Sequence, residues 1–273
     1  QDNLRSELWE QILVHMGNQI DHRGPDDAGI WFNPNDKIGL SFRRLSILDL
    51  SNSGHQPMES PSGRYVMVFN GEVYNYLELK QFLIKKGYSF SGGSDTEVIL
   101  SAIEEWGLES AVKRFNGMFA IALWDCSNKK LFLIRDRLGI KPLHYGLINN
   151  TFLFGSEIKA LKVHPNFNPD INRNAISLLL RDNYISAPYT IYNGIFKLNP
   201  GTILEIKFPV NDIPKAKPYW TVNTAFEQGI TNQFDGSEME ATNQLENLLC
   251  SSIKLRMVAD VPIGAFLSGG IDS

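Results

Sequence analysis

YVMVFNGEVYNYLELKQFLIKKG, residues 65 to 87, runs from a strand through a polar exit into a helix. Tyr65–Val73 is rich in β-branched and aromatic residues and reads as a strand. Asn75 then starts a helix: its side chain can cap the first turn, Glu78 completes a pair of capping-box type, and Gly87 supplies the stop. The strand is hydrophobic until Asn70-Gly71-Glu72, so an amide side chain and a sterically open backbone N–H stand side by side at its exit. Two neutral donors of this kind compose an oxyanion hole. Asn-Gly is equally the dipeptide of a tight turn.

On the N-terminal side, Leu4, Leu8, Ile12, Met16 and Ile20 recur at helical spacing, and Gly39–Leu48 reads as another strand. Arg44 lies within that strand; it is either a solvated edge residue or an inward guanidinium that needs an anion. On the C-terminal side a helix from Thr96 to Trp106 follows Ser94-Asp95 and stops at Gly107. Asp95 there is either a helix cap or a carboxylate for an ammonium group. Two hairpins come next, Phe119–Trp124 with Leu131–Ile134 and Leu143–Ile148 with Phe152–Phe154. Many strands, few helices and little βαβ alternation predict an α+β layered domain over residues 1–207.

Residues 208–236 change texture, with Pro209, Pro214, Pro218, Gly229 and Gly236 among Asn, Gln and Thr, and read as a linker. Ser237 and Glu240 form a capping box that opens a helix of about twenty residues. Val261–Phe266 reads as a buried parallel strand leading into Ser268-Gly269-Gly270-Ile271-Asp272-Ser273. Helix, strand and a small-residue turn that brings backbone N–H groups to an anion predict the opening of an α/β nucleotide-binding domain over residues 237–273. The turn lacks the Lys of the GxxxxGK[ST] loop, so chemistry is expected at an α-phosphate.

Over 273 residues, 26 basic and 30 acidic side chains leave a net charge of -4, which gives no electrostatic reason to expect nucleic acid. No apolar run approaches the roughly 18 residues of a membrane span. Cys126 and Cys250, far apart, suit a reducing cytoplasm and a structural role, Cys250 as a small core hydrophobe. The five His fall in no metal spacing, so no metal centre is expected.

The wording and order of the segments go further. His22-Arg23-Gly24-Pro25-Asp26-Asp27, Arg44-Leu45-Ser46-Ile47, Phe69-Asn70-Gly71-Glu72-Val73-Tyr74-Asn75, Gly93-Ser94-Asp95-Thr96-Glu97, Phe115-Asn116-Gly117-Met118-Phe119-Ala120 and Arg135-Asp136-Arg137-Leu138-Gly139-Ile140-Lys141-Pro142 closely resemble the glutaminase domain of glutamine-hydrolysing asparagine synthetases. Asp260-Val261-Pro262-Ile263-Gly264-Ala265-Phe266-Leu267 and the turn after it are similar to the start of that family's ATP-pyrophosphatase domain.

The resemblance implies an N-terminal-nucleophile hydrolase fold, two antiparallel sheets between helical layers, that takes ammonia from glutamine. A second domain would then amidate an adenylated aspartate, with ATP and Mg. By carry-over, Arg44 with the backbone of Leu45, Ser46, Ile47 and Leu48 would hold the glutamine α-carboxylate, and Asp95 the α-ammonium. Asn70 and Gly71 would form the oxyanion hole, with Glu72 in the same loop. Leu267, Ser268, Gly269, Gly270, Asp272 and Ser273 would contact ATP, although neither ATP nor Mg is expected to bind these residues well by themselves. The family's nucleophile is an N-terminal Cys whose own amino group is the base. The chain starts at Gln1, so that Cys and its strand are expected upstream, which would leave a gap in a sheet. His144 stands where the family usually has another aromatic, and packing is expected of it. Two other readings stay open: a paralogue that amidates another carboxylate, such as a uronic-acid sugar, and an inactive glutamine-binding module. A cytoplasmic homodimer is the expected setting.

Overall fold

The computed structural model describes residues 2–271. Helix α1 (Asp2–Asn18) leads into the hairpin β1 (Asp27–Asn33) and β2 (Ile38–Arg44). A short β3 (Met58–Glu59) precedes β4 (Tyr65–Val73), whose bounds are those read from the sequence. Three helices follow, α2 (Tyr76–Lys85), α3 (Asp95–Trp106) and α4 (Leu108–Arg114). The hairpins come as β5 (Gly117–Asp125) with β6 (Lys130–Arg135), and β7 (His144–Ile148) with β8 (Thr151–Gly155). Then come α5 (Ile158–Lys162), α6 (Arg173–Asp182), β9 (Ile195–Lys197), β10 (Thr202–Lys207), β11 (Lys217–Pro218), α7 (Val222–Thr231) and α8 (Glu238–Arg256).

Strand alternation explains the layering, because successive side chains leave a strand on opposite faces. Met67 and Phe69 of β4, with Phe119, Ile121 and Leu123 of β5, pack under α2, α3 and α4. Val66, Ala120, Ala122, Trp124, Leu131 and Leu133 point the other way, against Ile38 and Leu40 of β2 and Tyr145 of β7. Beyond that second sheet layer, Ile148, Leu153 and Ile195 meet α5, Met16 of α1 and Ile20 just after it. The result is helices, sheet, sheet, helices, an α+β sandwich.

The first sheet has six strands in the order β11-β10-β6-β5-β4-β3, and all its pairings are antiparallel. The second layer is in two pieces, the β1-β2 hairpin and the sheet β8-β7-β9. Between them lies a cavity of about 700 Å³, roofed by α1, walled by β2 and β8, and floored by Val68 and Ala120.

Several expectations change. Gly39–Leu48 is a strand only as far as Arg44, and residues 45–51 form a loop. The Asn75 side chain does not cap α2; it bridges to the main chain of Arg114 and Asn116, pinning that loop to the end of β4. The stretch read as a linker contains β11 and α7, and two of its aromatics are packed: Phe208 edge-on against Trp124, and Tyr219 in the core under α2–α4. Val261–Phe266 is irregular, since a strand requires a neighbour for its backbone groups and none of the described strands lies beside it. Cys250 is exposed on α8 beside exposed Leu248 and Leu249, not in a core. Among the described residues no helix is long and apolar enough to cross a membrane.

Candidate active site

The polar exit of β4 faces two ways. Asn70, in phase with Val66 and Val68, points between the sheets, where its Nδ2 donates to Ser156 Oγ at 3.3 Å, just beyond β8. His144 Nδ1 lies 3.1 Å from the Ser156 carbonyl oxygen, which makes the ring the donor and holds Ser156 beside Asn70. Burial lowers the His144 pKa, so the ring stays neutral in this position. Gly71 pairs with Phe119 at a φ of 151°, and a Cβ built there would stand 2.0 Å from the Met118 oxygen. A side chain there would collide with the β5 main chain, which keeps the position for glycine.

The strand is fixed one residue earlier. Buried Gln56 accepts from the Phe69 N–H at 2.7 Å, and its Nε2 donates to the Phe69 oxygen and to Thr96 Oγ1, both at 3.4 Å. The Val73 N–H donates to Asp95 Oδ2 at 2.9 Å. Asp95 opens α3 and is 5% exposed. Burial pushes its pKa up to about 7; the Val73 hydrogen bond opposes that, and the Glu72 charge adds to it. Glu72 is itself raised by burial and drawn back by the Lys141 ammonium. The site therefore holds one carboxyl poised near neutrality and a half-buried carboxylate with a lysine counter-ion.

Arg44 closes the other side. It is buried, and neither sequence alternative describes it fully: its guanidinium grips carbonyls of the loop that follows. Nη1 donates to the Ser51 oxygen at 2.9 Å, and Nη2 donates to the oxygens of Leu48, at 3.3 Å, and Asp49. Only the absence of a Cβ at Gly54 leaves room, since that atom would lie 1.9 Å from Nη2. The loop thus takes its shape from Arg44, with the Ser46 N–H held by Asp26 and Leu45 exposed. The Asp49 carboxylate accepts from the N–H groups of Ser51, at 3.0 Å, and Gly93, at 2.7 Å. Burial works against its charge, but these bonds prevail and keep its pKa low. Gly93 is two residues before Asp95, so loop 45–51, β4 and the start of α3 form one connected rim.

Sequence reading missed Gln56, Asp49, Ser156 and the role of Asp136. The buried Asp136 carboxylate accepts from the N–H groups of Phe119, Leu138, Ile140 and Lys141, which fixes the turn carrying Lys141. Only the quoted segment around Arg135-Asp136 gave a local signal for any of these. At the C-terminal end, Leu267, Ser268, Gly269 and Gly270 are exposed, with Gly269 at a φ of 78°. Asp272 and Ser273 lie outside the described residues. Among the described residues no three His, Cys, Asp or Glu side chains gather to hold a metal ion.

The layered fold and this strand-end site define a class, and residues 3–220 place the chain in it: the protein belongs to the glutamine amidotransferase domain family. Its fold is the N-terminal-nucleophile hydrolase fold. It is shared with the glutamine phosphoribosylpyrophosphate amidotransferase of B. subtilis, at a TM-score of 0.54 and 18% identity over 76% of this chain and 46% of that one. A structure described as the allosteric regulatory enzyme of purine biosynthesis gives 0.56 and 19%, over 77% and 46%.

More particularly, residues 244–273 match the asparagine synthase family. The chain is 38% identical to a putative glutamine-hydrolysing asparagine synthetase 2 of Methanocaldococcus jannaschii, over 98% of this chain and 53% of that protein. It is 36% identical to asparagine synthetase 1 of Bacillus subtilis, over 97% and 40%. Amidase chry2 of Gibberella zeae is similar at 34%, over 97% and 38%. The chain thus spans about half or less of the length of these relatives.

Proposed function

We propose that the chain is the glutamine-hydrolysing module, with the opening of the ATP-using module, of an asparagine synthetase. The observation that carries this reading is the strand end itself: Asn70 and Gly71 lie on the strand whose Val73 N–H is hydrogen-bonded to the buried Asp95. Paired opposite charges select a free amino acid, and two neutral donors await an oxyanion.

Asp95 binds the α-ammonium of glutamine, and Arg44 with the backbone of residues 45–48 receives the α-carboxylate. Attack on the side-chain amide carbon by a Cys thiolate, supplied from outside residues 1–273, places negative charge on the amide oxygen. The Asn70 amide and the Gly71 N–H stabilise that charge. Collapse expels ammonia and leaves a thioester that water hydrolyses to glutamate. Leu267, Ser268, Gly269 and Gly270, with Asp272 and Ser273, would hold the phosphates of ATP, and Mg would supply charge neutralisation there. The acceptor is aspartate, activated as an acyl-adenylate, and the setting is a cytoplasmic homodimer.

The test is product analysis of the full-length protein given ATP, Mg, aspartate and glutamine. AMP, pyrophosphate, glutamate and asparagine are expected. ADP and phosphate would overturn adenylation. A second reading is favoured by the similar protein named an amidase: AMP and pyrophosphate without asparagine would move the acceptor to another carboxylate, such as a uronic-acid sugar. Glutamine binding without ammonia release would leave a binding module.

A further inference from the structure

We propose that Asp260 is a positioning residue through which the segment leading to the 268–270 turn sets the shape of the glutamine-selecting loop. This rests on the glutamine reading above. Residues 256–260, from the last residue of α8 toward that turn, dock on the first domain at three points. Arg256 stacks its guanidinium 4.5 Å over the Tyr74 ring, directly after β4. Val258 packs against the core under α2–α4. Asp260 then makes two hydrogen bonds to the loop: its N–H donates to the Ile47 oxygen at 2.9 Å, and its Oδ2 accepts from the Asp49 N–H at 2.7 Å.

Those two bonds bracket Leu48, in the stretch whose carbonyls Arg44 also grips. Asp49 sits there at a φ of 54°, a left-handed backbone that a non-glycine residue keeps only when its surroundings hold it. Arg44 holds the carbonyls from inside, the Asp49 carboxylate is tied to Gly93, and Asp260 accepts from the Asp49 N–H. Loop 45–51 is thus clamped from both domains' residues, and glutamine meets a loop whose outer bonds are made by the segment that continues to the nucleotide turn.

The experiment uses the full-length protein and measures ammonia release against glutamine concentration for wild type, Asp260→Ala and Asp260→Asn. Asp260→Ala is expected to raise KM about tenfold, equivalent to about 1.4 kcal/mol, with kcat within about twofold, the pattern of lost substrate binding. Asp260→Asn keeps an acceptor oxygen and should recover most of the loss. Hydrogen exchange of the same proteins should show faster exchange at Ile47–Asp49 in Asp260→Ala, with β5 unchanged. An unaltered KM, or unaltered exchange in that loop, overturns the proposal; so does faster exchange spread through β5, which would make Asp260 a general stabiliser. If the wild type releases no ammonia, the glutamine reading fails, and the exchange comparison still decides whether Asp260 shapes the loop.

Discussion

Asp95 holds its proton up to about pH 7, well above its ordinary 3.8, because burial penalises the charge. Between those values the native state binds more protons than the unfolded chain, so its contribution to stability falls as pH rises. Asp95→Asn should flatten that fall and stabilise the free protein above pH 7 by on the order of 1–3 kcal/mol in urea unfolding. The same change should raise the glutamine KM, since a charge-assisted contact is worth about 1.5–3 kcal/mol. In the wild type the KM should drop as pH rises through about 7, where the carboxylate becomes available to an ammonium. An unchanged KM in the variant would leave Asp95 only its place at the start of α3. Asn70→Ala should act differently, lowering kcat by a factor that corresponds to about 3 kcal/mol for a lost oxyanion donor, with little change in KM. Residue type alone did not single these residues out, since a tight turn accounts for Asn70-Gly71 and a helix cap for Asp95; the ordered segments in which they stand did. Gln56 was not legible, since nothing local says that its amide reaches a strand thirteen residues away.

At the scale of elements, β4 shows what a glycine is for. Gly71→Ala would drive a Cβ to 2.0 Å from the Met118 oxygen and strain a φ of 151°, near the end of the β4–β5 ladder. A loss on the order of 3 kcal/mol is expected in urea unfolding. Gly87→Ala is the control: its φ is 96° but nothing lies within 4 Å of the added atom, so the loss should be smaller, about 1 kcal/mol. Strand β4, the two hairpins and the α8 capping box could be read from sequence, because each is set by neighbours a few residues apart. Three features could not. Asn75 has two possible sets of partners, and the distant main chain of residues 114–116 wins over its own helix. Phe208 and Tyr219 lie in proline-rich surroundings that read as linker, yet each finds a hydrophobic recess made by remote strands. Val261–Phe266 has strand composition without a strand beside it.

For the whole molecule, α8 carries the clearest unmet demand. Leu245, Leu248, Leu249 and Ile253 are exposed together, and Cys250 is exposed among them. With relatives about twice as long or more, the proposed reading has the rest of the ATP-using module cover this face. Cys250 should then react quickly with a thiol reagent in residues 1–273 and at least tenfold more slowly in the full-length protein, since burial withholds a thiol from attack; equal fast rates would assign the face to solvent. The order of the four layers follows from the strands' alternating faces, and it has a consequence for inheritance. Asn70 looks between the sheets because it stands an even number of residues from Val66, while the next peptide along the same strand belongs to the other face. Deleting a single codon between Val66 and Asn70 would turn the amide toward α3 and leave every later side chain of the strand inverted. Genes for this protein that keep this layering are therefore closed to any odd change of length within β4.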